Sequence, residues 1–175
     1  VKGQWLHTVA APDLTYESID YDYSKGGLIR PDGKIAKSNG DLIQGWGVYY
    51  LTTEFAESFA PDDKRKAATA WHYVLSENGD TVTFVDKKEG SAYYNLKWIS
   101  FDDKEVNGEK DIIHMRLAEV YLILAEAENE INGGPTSKAY EAVNALRRRA
   151  FGDMDHDVPS GLSKDEFKRV IIDEN

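Results

Sequence analysis

The stretch "RLAEVYLILAEAENEINGGPTSKAYEAVNALRRRA", residues 116–150, constrains the fold more than any other part of the chain. Val120, Tyr121, Leu122, Ile123, Leu124, Ala125 and Ala127 run around most of the circumference of a helix, so it must be covered on more than one side. Glu119, Glu126, Glu128 and Glu130 interrupt the apolar run, which is too short to cross a membrane and reads as a buried core helix. Gly133 and Gly134 can end it in the left-handed conformation, Pro135 forbids its resumption and Thr136 can cap a new helix. There, Ala139, Ala142, Val143, Leu146 and Ala150 form one apolar stripe whose small side chains let two helix axes approach closely. Arg147 to Arg149 read as a solvated end, where the helix dipole favours cations. The two segments predict an antiparallel helical hairpin of the tetratricopeptide type, which cannot bury both of its faces alone.

The remainder is less regular. Residues 1–48, rich in Gly, Asp, Ser and aromatics, show no sustained period and read as a loop-rich aromatic arm with short strands. Thr52 caps a helix of two to three turns carrying Phe55, Ala56 and Phe59, ended by Pro61. "KAATAWHYVLSENGDTVTFVD" reads as a β-hairpin turning at Asn78-Gly79, with Trp71, Tyr73 and Leu75 on one face and Val82 and Phe84 on the return strand. "AYYNLKWISF" reads as a third strand, with Tyr94, Leu96 and Trp98 on one side. In "GLSKDEFKRVIIDEN", Ser163 and Glu166 make a capping box and Leu162 is placed to staple against Phe167, opening a third helix that stops with Val170, Ile171 and Ile172 still apolar. The expected class is mainly α, with irregular loops and a small β-hairpin or sheet. Its expected organisation is one partial domain over 1–175: the arm (1–48), a short helix with hairpin and strand (49–110), and the helical hairpin with a truncated third helix (111–175).

Charge and missing residue types exclude several chemistries. With 21 basic against 31 acidic residues and a net charge of −10, the chain lacks the clustered cations that phosphate backbones reward, so no nucleic-acid partner is expected. No cysteine is present, which removes disulfides, thiol nucleophiles and cysteine-bound zinc. There is no G-x-S-x-G elbow, no glycine-rich phosphate loop and no His pair at metal-site spacing among His7, His72, His114 and His156. Asp153, Asp155 and Asp157 open like an EF-hand, but Val158 stands where glycine belongs and Lys164 where the bidentate glutamate belongs, leaving an acidic solvated loop. No catalytic residue, metal or cofactor is expected.

Aromatic rings offer the one positive signal. Trp5, Tyr21, Tyr23 and Trp46 sit among Gly, Asp, Asn and Gln, where flat rings could stack on an apolar sugar face while polar neighbours bond its hydroxyls. The competing reading is that these rings pack the loops down onto the helices.

From "GWGVYYLTTEFAESFAPDDKR" to "RLAEVYLILAEAENEINGGPTSKAYEAVNALRRRAFG" the chain resembles the C-terminal half of the SusD/RagB family of outer-membrane nutrient-binding lipoproteins. Phe59, Asp63 and Arg65 match a phenylalanine followed by an Asp-x-Arg element. Arg116, Ala118, Glu119, Leu122, Ala125, Glu126 and Ala127 match R-x-A-E-x-x-L-x-x-A-E-A, although Leu117 stands where the family often has an aromatic residue. Ala139, Val143, Asn144, Leu146, Arg147, Arg149 and Ala150 match A-x-x-x-I/V-N-x-V/L-R-x-R-A-G, with Phe151 ahead of Gly152.

The resemblance implies a tetratricopeptide-like helical hairpin within a SusD-like fold and no enzyme activity. It implies that the parent binds glycans, or peptides in some branches, on the outer surface of the outer membrane, for delivery to a SusC-like TonB-dependent transporter. Val1 is preceded by no initiator methionine, and the third helix is short for the family. Both suggest a piece of a longer protein whose N-terminal lipid anchor lies outside this chain. A helical-repeat module that binds a protein partner is the alternative from a different class. Glu119, Glu126, Arg147 and Arg149 are expected to fix the register of the hairpin through ion pairs.

Overall fold

In chain order the computed structural model places β1 (Lys2–Gln4), β2 (Leu28–Ile29), β3 (Ile35–Ala36), α1 (Thr53–Ser58), α2 (Arg65–Thr69), β4 (Tyr73–Ser76), β5 (Thr81–Thr83), β6 (Asn107–Asp111), α3 (Leu117–Ile131), α4 (Ser137–Phe151) and α5 (Lys164–Glu174). Short 3-10 turns lie at Tyr23–Lys25, Asn39–Asp41 and Leu96–Trp98. It describes residues 2–4, 19–42, 51–85, 93–98, 107–111 and 113–175, with backbone alone for 2–4, 98 and 107–111. The chain divides into a sheet unit, 1–61 with 65–112, and a helical unit, 62–64 with 113–175. Among the described residues no helix is long and apolar enough to cross a membrane.

In the sheet unit, four antiparallel strands lie in the order β3-β2-β4-β5, and β1 pairs with β6. Alternation puts Leu28, Ala36, Val74 and Ser76 on the buried face, where they meet Ile19, Leu42, Trp71, Phe84 and Tyr94. Trp71 and Phe84 meet edge to face with centroids 4.6 Å apart. β2 runs close to its neighbours because Gly27 carries no side chain: a Cβ there would stand 2.7 Å from the Ala36 carbonyl oxygen. The β4–β5 turn falls on Asn78-Gly79 as expected. Gly79 has φ +88°, and the Ser76 N–H donates to the Asp80 carbonyl at 2.8 Å.

Three expectations are corrected here. Trp71 is buried, whereas Tyr73 and Leu75 point outward and Val74 and Ser76 point in. The hairpin ladder begins only at Tyr73; Trp71 instead bridges to Tyr94, and the irregular residue between, His72, shifts the alternation by one. Described residues 93–98 of the expected third strand form none: Tyr93 and Tyr94 make single bridges to Leu51 and Trp71, and Leu96–Trp98 turns as a 3-10 helix, while residues 92 and 99–101 and the Trp98 side chain lie outside the described residues. α1 spans six residues, fewer than expected. Thr52 caps it by accepting from the Phe55 N–H, and its Phe59 end is already extended backbone.

The helical unit follows the sequence closely. α3 and α4 pack antiparallel around Leu122, Ala125, Ala139, Ala142 and Val143, and α5 adds Phe167 and Ile171 to the same core. Gly133 takes φ +70° after α3, and the Thr136 hydroxyl accepts from the Ala139 N–H at 3.2 Å. Ser163 accepts from the Glu166 N–H, and the Glu166 carboxylate accepts from the Ser163 N–H at 2.8 Å, closing the capping box.

The expected register pairs are replaced by others. Glu128 receives Lys138 and the Thr136 hydroxyl across the turn, both at 3.0 Å. Glu130 receives Lys168 at 3.1 Å together with Lys164, tying α3 to α5, and Glu126 faces Lys168 at 3.8 Å. Arg147 pairs with Glu174, and Glu119 accepts from the Arg116 N–H at the start of α3.

Candidate functional site

Two of the four candidate rings, Tyr21 and Tyr23, fall in the sheet unit; Trp5 and Trp46 lie outside the described residues. Asp22, between the tyrosines, caps a 3-10 turn by accepting from the Ser24 N–H at 3.0 Å, which brings the two rings edge to face at 5.1 Å. Both are half-buried against the sheet core. The Tyr23 hydroxyl donates to Asn39 Oδ1 at 2.7 Å, and Asn39 in turn donates to the Ile19 carbonyl at 3.5 Å. Burial, aided by the Asp41 charge and then Tyr21, pushes the Tyr23 phenol up to about 12. The hydroxyl of Tyr23 is thus spent on the arm, while Tyr21 keeps part of its ring open.

Outward-facing residues of the sheet add a surface that the sequence had hidden. The register aligns Ile35, Ile29, Leu75 and Thr81 in one row across all four strands, and Tyr73 stands next to it opposite Thr83. Tyr73 is 48% exposed. At the end of the β2–β3 hairpin, Arg30 holds Asp32 through two hydrogen bonds, 3.0 and 2.6 Å, and donates to the Asp41 carbonyl at 3.0 Å. The exposed Ile35, Ile29 and Leu75 with a phenol ring beside them offer a flat apolar strip on which a ligand's apolar face can stack. Only the break in alternation at His72 separates this arrangement from a core position for Tyr73.

A second open feature lies between α3 and α5. Leu122, Ile123, Ile171 and Ile172 line a groove of about 200 Å³, with Glu119, Glu126 and Lys168 at its rim. The acidic loop after α4 holds no convergent ligand set: Asp153 accepts from the Asp155 N–H and faces His156, and Asp157 takes Arg148. Asp22, Glu128, Glu130, Asp153 and Glu166 are held below the ordinary carboxyl range by side-chain donors, Ser24, Lys138, Lys164, His156 and Ser163 first among them.

Comparison with known proteins adds a family. The sequence model of the SusD family matches residues 52–175. SusD-like protein P25 of Formosa agariphila is 31% identical over 174 residues, which cover 98% of this chain and 30% of that relative. The chain thus spans less than a third of the curated relative's length. A SusD superfamily protein of Parabacteroides distasonis superposes with a TM-score of 0.62 at 20% identity, covering 99% of this chain and 32% of that one. Surface glycan-binding protein A of Bacteroides thetaiotaomicron, solved in complex with laminarihexaose, superposes with a TM-score of 0.53 at 16% identity, covering 92% of this chain and 34% of that one. At such identities the structural likeness is one of fold: mainly helical, with a small antiparallel sheet.

Proposed function

The chain belongs to the SusD family, and from that premise we propose that it is part of a non-catalytic glycan-binding protein of the outer cell surface, handing oligosaccharides to a SusC-like TonB-dependent transporter. The observation that carries this reading is the family match over 52–175, joined to a fold shared with a protein solved with an oligosaccharide bound. Tyr21 and Tyr73 are the described rings best placed to stack on sugar; Trp5 and Trp46 remain candidates beside them. A lipid-anchored parent at the outer membrane follows from the family resemblance.

A protein or peptide ligand is the second reading. It is favoured by the outer face of α3, where Val120 is 47% and Ile123 54% exposed.

Affinity electrophoresis of the intact protein in gels cast with different polysaccharides separates the two. Retardation by at least one glycan, relieved by its free oligosaccharide and unaffected by peptides, is the expected result. Retardation by none, with binding to peptides alone, overturns the glycan reading and leaves the family assignment standing. Reducing-end release over a long incubation should stay at the buffer background.

A further inference from the structure

Residues 62–64 form neither helix nor strand, yet they pack with the helical unit. Asp63 is buried, and the Lys64 N–H donates to the carbonyl of Ala150 in the last turn of α4 at 3.0 Å. Beside this contact the His156 ring lies flat on Phe151, centroids 3.9 Å apart and planes 3° from parallel. Its two nitrogens face two carboxylates from different segments: Nε2 stands 3.0 Å from Asp62 Oδ2, and Nδ1 stands 2.9 Å from Asp153 Oδ1.

A neutral imidazole carries one N–H, so it can donate to one of these carboxylates while it turns a lone pair toward the other. Only the imidazolium satisfies both. We propose that His156 is a pH-operated latch, which when protonated ties Asp62 to Asp153 and holds segment 62–64 on the C-terminal end of α4, and when neutral slackens it.

The charges around the ring fit that role. Asp62 comes from the held segment and Asp153 from the loop after α4. Arg147 of α4 donates to the His156 carbonyl and opposes protonation, but its guanidinium is engaged by Glu174 of α5. Arg148 is taken by Asp157 and Glu141, and Lys64 passes over Gly152. The Asp153 hydrogen bond raises the His156 pKa above its ordinary 6.5; burial opposes this, and the charges of Asp153 and Asp62 add to the rise. A raised folded-state pKa means that the contribution of the latch is complete below 6.5 and is lost as pH rises through the higher folded value.

The test is amide hydrogen exchange of Lys64 in the intact protein, corrected for intrinsic rate, with the His156 ring titrated by NMR in the same samples. Protection of Lys64 should fall about two- to fivefold between about pH 5 and about pH 8.5, the range expected of an exposed ion pair, with the midpoint of the His156 titration. Asp62→Asn should flatten the profile at Lys64 and bring the His156 midpoint down, and His156→Gln should flatten the profile without changing protection of the α4 core amides. Protection that stays constant while His156 titrates, or a profile that survives in either variant, overturns the proposal. The wild-type titration alone suffices for the first of these outcomes, whatever the variants do.

Discussion

Asn144 shows how far a single residue can depend on a partner that the sequence does not announce. It lies in α4 inside the matched family pattern, buried, and its Oδ1 accepts from the Val158 N–H at 2.8 Å, pinning the loop after α4 back onto that helix. Asn144→Ala leaves a buried N–H without an acceptor, so it should cost about 1–3 kcal/mol in urea unfolding, and a loss under a few tenths would refute this role. The pattern marked the residue, but the bond spans fourteen positions and periodicity cannot reveal it. Tyr23 offers a spectroscopic counterpart. With its phenol pushed up to about 12, an alkaline absorbance titration should contain a late-ionising tyrosine that Tyr23→Phe removes. Because the folded phenol holds its proton longer than the unfolded one, whose ordinary value is 10.0, this group makes the protein less stable as pH rises from 10.0 toward that value. Amplitude lost instead from the main tyrosine step near the ordinary value would contradict the burial of Tyr23.

Helix ends were the most legible elements, because capping is a local matter of a hydroxyl and three following residues. Thr52, Thr136 and Ser163 each accept the backbone N–H that the sequence assigns them. Ser163→Ala should therefore cost about 1 kcal/mol, and Ser163→Gly only a few tenths beyond wild type, since glycine is itself a tolerated cap. Equal losses would show that the capping box contributes little. Strand faces were less legible: one irregular residue at His72 put Trp71 and Tyr73 on opposite sides, and parity has no redundancy to correct such a slip. The ion pairs also went elsewhere, since which long charged side chains meet depends on how α5 lies against α3. α3 itself is covered on one stripe among the described residues, although its composition asked for more. Leu122→Ala should cost about 2–5 kcal/mol and Ile123→Ala under about 0.5 kcal/mol in this chain. Similar costs at the two positions would mean that both faces are packed.

Across the whole molecule, the family was readable because its signature is carried by the helical hairpin, where small residues, caps and apolar stripes coincide with packing. The binding surface was not, for a physical reason: a ring that stacks on sugar and a ring that closes a loop are the same residue in the same composition, and only burial tells them apart. Burial divides them unevenly here, with Tyr23 bonded to Asn39, Tyr21 half-open and Tyr73 turned outward by the broken alternation. The chain covers 30% of the relative it matches, so the ligand must be sought with the intact protein. The central claim is oligosaccharide binding by a SusD family member, and calorimetric titration of the intact protein with laminarihexaose and a panel of other oligosaccharides, alongside short peptides, tests it most directly. Saturable heat is expected with at least one oligosaccharide, weakened about fivefold or more when a stacking ring such as Tyr73 is replaced by alanine, from the ~1 kcal/mol an aromatic contact supplies. Heat from peptides with none from any sugar would contradict it.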